Sequence, residues 1–222
     1  MDYLDIKYNN EDKPITNYPK KFAKYNFSRF NLKDKKVLEI GSGRGEFSNN
    51  FFNLGVNLYT IDINDNSKKY LNKDIVFEKC NLEIEKLPFE DDLFDVVYSK
   101  SVLEHLIKPE NFFVESKRVL KKDGLLIIYT PDWESQYKIF FDDTTHIKPY
   151  SIISIKQAYL NYGYNFLFTE KFYQLPIIWK FPFLKFFCKL LSFVTPIRSK
   201  IKFLRFSREV MILAVGKKDD FI

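Results

Sequence analysis

The apolar run Lys36-Val-Leu-Glu-Ile40 breaks directly into glycines, Glu39-Ile-Gly41-Ser-Gly43-Arg-Gly45, and a helix-periodic pattern begins at once. Three alternate glycines let the backbone turn tightly. They also leave room for a ligand against the main chain, at the positive end of the following helix. Asp62 closes the next apolar run, about 20 residues past the first glycine, where a carboxylate can accept both hydroxyls of a ribose. The loop alone is weak evidence; the loop after a strand, before a helix and paired with that acid points to a nucleoside-bearing ligand. The dinucleotide fingerprint wants a third glycine where this chain has Glu46. A pyrophosphate would also meet the carboxylate of Glu39, whereas a ligand bearing an ammonium would suit it.

The alternation continues to about residue 130. Phe47, Phe51 and Leu54 recur at spacings of four and three, one face of a helix within 44–54. Asn57–Ile61 predicts the second strand, with a short polar helix after Asp62. Ile75–Phe77 predicts the third strand and Leu93–Tyr98 the fourth. Helical segments at 101–107 and 110–121 lead to a fifth strand, Gly124–Tyr129. Beyond Pro131 the pattern predicts a helix over 151–161, a strand over 164–173 and a last strand over 208–215. Strands alternating with helices imply βαβ crossovers and a parallel sheet covered on both faces. The expected fold is α/β: a doubly wound, mostly parallel seven-stranded sheet with an insertion before the last strand.

These segments resemble the class I S-adenosylmethionine-dependent methyltransferases, in their small-molecule, type 11-like branch. Val37–Gly45 is similar to the family's first motif and Tyr59–Asp62 to its second. Leu87–Tyr98 followed by Ser101-Val-Leu-Glu-His-Leu106 is similar to its fourth-strand signature. The resemblance is close over 36–130 and looser to 173. It implies a Rossmann-like methyltransferase fold and S-adenosyl-L-methionine as cofactor. Carried over position by position, Glu39, Gly41, Ser42, Gly43 and Gly45 would pass along the methionine part. Asp62 would hold the ribose and Ile63 would pack on the adenine. Asn81 and Leu82 stand where the family has an acid and an apolar residue; the asparagine carbonyl still accepts from the exocyclic amine. Tyr98 and Ser99 would face the sulfonium. The chain then reads as one domain: a helical cap (1–35), a cofactor-binding core (36–130), an acceptor-side segment (131–173), the insertion (174–206) and the last strand and tail (207–222).

Methyl transfer is an in-line displacement, so catalysis rests on positioning, and a hydroxyl acceptor is helped by a general base. His146, in the loop after the fifth strand, is the candidate, with Asp142 or Asp143 orienting it. The expected catalytic pair is His146 and Asp143. A similar Asp-x-Thr-His occurs on the acceptor side of this branch. His105 is a second imidazole, which in the resembled family supports the cofactor site. Two acids and a histidine so near one another along a loop are too little to argue a metal site, and none is expected.

The net charge of +6 is concentrated. Gln174–Phe206 carries seven basic residues and no acid, which leaves the rest of the chain close to neutral. That distribution argues against nucleic acid as a partner. The fourth strand lacks the Pro-Pro-aromatic motif of amino-group methylation, and neither cysteine follows a proline. Phe183, Phe186, Phe187 and Leu190 recur at three and four among lysines, the marks of a helix at an anionic membrane surface. The same segment would serve equally as a lid over the acceptor. The longest uncharged stretch, Gln157–Thr169, falls short of the roughly 18 residues that a bilayer span needs. With an acidic N-terminus and two cysteines, the expectation is a cytoplasmic protein, peripheral to the inner membrane face through 174–206. The activity expected from the sequence is O-methylation of a sugar or lipid-linked glycan intermediate. A quinone- or lipid-directed methyltransferase and a non-catalytic cofactor-binding accessory subunit are the alternatives.

Overall fold

The computed structural model describes residues 14–199 and 201–219. The expected cap therefore lies outside the described residues over 1–13, as do Lys200 and the tail 220–222. In chain order the elements begin with α1 (Tyr18–Arg29), β1 (Lys36–Ile40), α2 (Glu46–Phe52), β2 (Asn57–Asp62) and β3 (Val76–Lys79). There follow β4 (Phe94–Lys100), α3 (Glu110–Val119), β5 (Leu120–Pro131) and α4 (Trp133–Gln136). The C-terminal part holds α5 (Ile152–Asn161), β6 (Tyr164–Tyr173), α6 (Pro176–Lys180), α7 (Leu184–Val194), α8 (Lys202–Arg208) and β7 (Val210–Lys218).

The sheet has seven strands in the order β3-β2-β1-β4-β5-β7-β6. β7 pairs antiparallel with both β5 and β6; the remaining pairs are parallel. The order reverses beside β1, so the carboxyl ends of β1 and β4 part around a crevice, where open α/β sheets bind ligands. Both faces are covered. Leu38, Ile40 and Ile61 pack under α3 and α5 through Phe112, Phe113 and Tyr159. Val37, Tyr98 and Tyr129 pack under α1 and α2 through Phe22 and Phe51. Phe22 is fully buried, its ring 5.0 Å from Tyr129 and 5.1 Å from Phe47. That burial contributes about 1.5–3 kcal/mol. A buried pair fixes the helix to the sheet: the Tyr129 hydroxyl donates to Asn26 Oδ1 at 2.5 Å. Tyr159 lies flat on Gly216, where an added Cβ would meet its ring at 2.3 Å, and its hydroxyl donates to the Leu126 and Ala214 carbonyls.

Several boundaries differ from the sequence pattern, among them these three. β5 starts at Leu120 because Leu120 pairs with Phe94 across a register shift, ahead of the apolar run at Gly124. β4 continues to Lys100 through its pairing with Tyr129. β7 starts only at Val210 because α8 holds the chain as far as Arg208. The N-terminal helix packs on α2 and the sheet face. Between β6 and β7 the basic aromatic segment forms α6, α7 and α8 around a small core of Leu175, Ile178 and Cys188.

Candidate active site

The glycine turn sits at the carboxyl edge of β1. Gly41 has φ +84°, and a Cβ there would meet Val102 Cγ2 at 2.3 Å. Only glycine permits both the left-handed backbone and that approach. The Gly41 and Ser42 amides donate to the Ile61 carbonyl at 2.8 and 3.2 Å. The Gly43 amide donates to Asp62 Oδ2 at 2.8 Å, and Asn64 N–H to Oδ1 at 2.9 Å. Asp62 thus fastens the loop that it faces. Burial raises its pKa, while the Asn64 and Gly43 hydrogen bonds pull it back. Gly45, at φ +67°, ends the turn and leads into α2, away from the cleft.

The loop borders a cleft of about 490 Å³. Gly41, Gly43, Asp62, Ile63, Asn81 and Leu82 all line it, as the sequence led us to expect. Ile63 is 61% exposed on the rim, while Leu82 is buried in the wall. Asn81 spends one lone pair of its side-chain carbonyl on Glu83 N–H, at 3.1 Å. Residues from the β4 edge complete the wall: Lys100, Ser101, Val102, His105 and Leu106.

Glu39, expected along the methionine part, and Tyr98 and Ser99, expected at the sulfonium end, are not among the residues lining the cleft. Glu39 and Tyr98 are register partners on β1 and β4 and project together. The pleat turns them to the α1/α2 face, opposite Ile40 and Ile61, which do line the cleft. Glu39 is buried and accepts from the Ser48 hydroxyl at 2.5 Å. Burial pushes its carboxyl up to about 8, against the Ser48 hydrogen bond, with Asp62 adding to the rise. Ser99 is buried within the strand. Because β4 continues to Lys100, Lys100 and Ser101 hold the edge position expected for Tyr98 and Ser99.

A second cleft of about 350 Å³ opens beside the first, and Gly41, Gly43, Lys100, Ser101 and His105 line both. His146, Asp143 and the buried Ser42 line this second cleft. The His146 loop is tied down because Ile147 and Lys148 N–H both donate to the Glu104 carbonyl, at 2.9 and 3.0 Å. His146 Nδ1 lies 2.7 Å from the Phe140 carbonyl, and Nε2 is 3.7 Å from Asp143 Oδ2. Asp143 Oδ1 accepts from the Thr145 N–H and hydroxyl, at 3.1 and 2.7 Å. Asp142 is held elsewhere by a two-point ion pair to Arg198, at 2.8 and 2.9 Å. Gln174, Arg205 and Phe206 of the basic segment also form part of this wall.

The methyltransferase domain family matches residues 38–128. A protein of Methanocaldococcus jannaschii is 32% identical over 176 residues, covering 77% of this chain and 73% of its own. The chain belongs to the class I S-adenosylmethionine-dependent methyltransferases. The ubiquinone biosynthesis O-methyltransferase of Glaesserella parasuis is 30% identical over 50% of this chain and 52% of its own. The chain thus spans about half the length of that enzyme. In fold, the methyltransferase solved with the Haloferax volcanii Trm112 activator superposes with a TM-score of 0.72 at 17% identity, covering 98% of each chain. A methyltransferase from Archaeoglobus fulgidus superposes at 0.66 and 18% identity, covering 98% of this chain and 100% of that one.

The first cleft fits the methyltransferase cofactor on its own chemistry. It has a carboxylate at the β2 edge, a main chain stripped of side chains at Gly41 and Gly43, and apolar walls at Ile63, Leu82 and Leu106. What sequence reasoning missed is the β4 edge and which residues of the insertion reach the second cleft. Lys100 lies beyond a strand pattern that stops at Tyr98, and nothing in a helical stripe announces that Arg205 and Phe206 reach a cleft built by much earlier parts of the chain. Glu104 is fully buried, with its carboxyl pushed up to about 7 by burial.

Proposed function

We propose that the chain O-methylates a hydroxyl of a lipid-linked sugar or glycan intermediate, with His146 serving the acceptor. The observation that carries this reading is the second cleft, which joins the cofactor cleft at Gly41 and Gly43 and has His146 and Asp143 in its wall. Bound S-adenosylmethionine supplies a methyl group on a sulfonium. Asp62 would hold the ribose end, the Gly41–Gly43 main chain would receive the methionine portion, and Asn81 with Leu82 would border the adenine. The Phe140 carbonyl can only accept, so His146 carries its proton on Nδ1 and presents the Nε2 lone pair. That lone pair takes the acceptor's hydroxyl proton, and Asp143 at 3.7 Å steadies the imidazolium that results.

The insertion supports a lipid-bearing acceptor. It closes one side of the second cleft with Arg205 and Phe206. On its outer side α7 leaves Phe186 and Phe193 64% and 78% exposed, with Lys185 and Lys189 on the same helix. An exposed aromatic stripe in an acid-free basic segment fits an anionic bilayer surface, and one segment acts as lid and contact. Among the described residues no helix is long and apolar enough to cross a membrane. A prenylated quinone is the second reading, favoured by the similarity to the ubiquinone enzyme.

The test is calorimetric titration with S-adenosylmethionine and S-adenosylhomocysteine, with NAD as control, followed by methyl transfer from labelled cofactor. Lipid-linked glycans and hydroxyquinones are offered as separate acceptors. His146→Ala should keep cofactor affinity and lose turnover. Absence of binding by either sulfur ligand would refute the cofactor site. Turnover unchanged in the variant would refute the role of His146.

A further inference from the structure

Three donors meet at the base of the second cleft. Glu104, His105 and His146 each bring a ligating atom within 4.8 Å of the other two. They come from two separate parts of the chain, joined by the hydrogen bonds from Ile147 and Lys148 to the Glu104 carbonyl.

Two independent features of this cluster point to a cation. The first is the state of the imidazoles. His105 Nδ1 lies 3.0 Å from the Thr145 carbonyl and His146 Nδ1 lies 2.7 Å from the Phe140 carbonyl. A carbonyl only accepts, so both rings hold their proton on Nδ1 and keep Nε2 as the lone-pair nitrogen. Metal-binding histidines show this arrangement, with the second nitrogen donating to a backbone carbonyl that fixes tautomer and ring angle. The second feature is Glu104. Its side chain is 0% exposed, Oε2 accepts from the Thr130 hydroxyl at 3.0 Å, and Oε1 has no hydrogen-bond partner among the described residues. A buried carboxylate oxygen without a donor is costly, and a cation beside it removes that cost.

We propose that Glu104, His105 and His146 bind one divalent, imidazole-preferring cation such as zinc at the base of the acceptor cleft. Metal–nitrogen and metal–oxygen bonds of about 2.0–2.2 Å require the three donors to close to roughly 3.3 Å of one another. Two imidazoles and one carboxylate leave coordination positions for outside oxygens, the pattern of catalytic metal sites. The role of that cation rests on the reading of the second cleft as the acceptor's. With the cation bound, an acceptor hydroxyl on it would be acidified and lose its proton to solvent, and Nε2 of His146 would be a ligand in place of the general base. In the stripped protein the same nitrogen remains available as the base.

The experiment is a titration of the untagged, EDTA-stripped full chain with Zn2+ and Co2+, reading heat and the visible spectrum of the cobalt form. One equivalent should bind with micromolar or tighter affinity. Glu104→Gln, His105→Ala and His146→Ala should each weaken binding at least tenfold while circular dichroism stays native. Absence of saturable binding to the wild type would overturn the proposal, even if a variant fails to fold. Undiminished binding by all three folded variants would overturn it too. S-adenosylhomocysteine is titrated into the same stripped sample. Its failure to bind counts against the cofactor reading, while the metal isotherm judges the cation separately.

Discussion

Replacing Glu39 by glutamine isolates the pH dependence of one buried proton. Glu39 has a folded pKa of about 8 against an ordinary value of 4.5, and the cause is burial. Between those two values the folded protein holds a proton that the unfolded chain has released. Stability therefore falls as pH rises through this window, and it is flat below and above it. One proton gives a slope of at most about 1.4 kcal/mol per pH unit, or about 5 kcal/mol over the whole interval. Relaxation and water entry around the ionised carboxylate reduce this to about 2–4 kcal/mol. The glutamine side chain keeps an oxygen for the Ser48 hydroxyl and does not titrate. The assay is thermal unfolding of wild type and Glu39→Gln at pH 5, 6, 7, 8 and 9. The difference between the two removes every other titrating group, Glu104 included. The wild type should lose roughly 4–16 °C of Tm relative to the variant from pH 5 to 9, at about 2–4 °C per kcal/mol for a chain of this size. Parallel Tm curves, within about 0.5 kcal/mol at every pH, would refute the burial argument.

Further outcomes follow from the same geometry. Asp62→Ala removes the carboxylate from the cleft and the acceptor for Gly43 N–H; calorimetry should show S-adenosylhomocysteine binding weakened by about 30-fold or more, since hydrogen bonds to a charged group contribute about 1.5–3 kcal/mol each. Gly41→Ala drives a methyl into Val102 and forces alanine to a φ of +84°; unfolding should show a loss of about 2–4 kcal/mol, with cofactor affinity falling too. Gly216→Ala strikes the Tyr159 ring, far from either cleft. It should cost about 1–3 kcal/mol in urea unfolding and leave S-adenosylhomocysteine affinity unchanged. The pair Phe186→Ser and Phe193→Ser should abolish co-sedimentation with anionic vesicles without lowering Tm, because both rings are already exposed.

The local chemistry of the cofactor half was legible in the chain. An apolar run ending in alternate glycines can do little but turn, and Asp62 at the next strand end follows from spacing alone. The strands at 36–40, 57–62 and 164–173 are likewise short-range consequences of residue type and period. Which residues face the cleft was decided across strands. Glu39 stands just before the glycine turn in sequence, yet pairing with Tyr98 sets its side and sends it under α2. Sequence distance does not encode the pleat's sense relative to a cleft, so Glu39 and Tyr98 turned away together.

The second cleft depended on tertiary structure throughout. His146 was visible as an unusual residue in a polar loop, but its neighbours were not. Asp142 reads as an equal partner to Asp143 until Arg198, far along the chain, takes it out of the site. Glu104 and His105 join His146 only because the amides of Ile147 and Lys148 close on the Glu104 carbonyl. Arg205 and Phe206 reach the same cleft because three helices fold back between the last two strands. The sequence determined the glycine turn, its acid and the alternating elements, since those depend on neighbours a few residues apart. The tertiary structure decided which side chains share the second cleft, since that is set by contacts between segments whose separation in the chain carries no periodic signal.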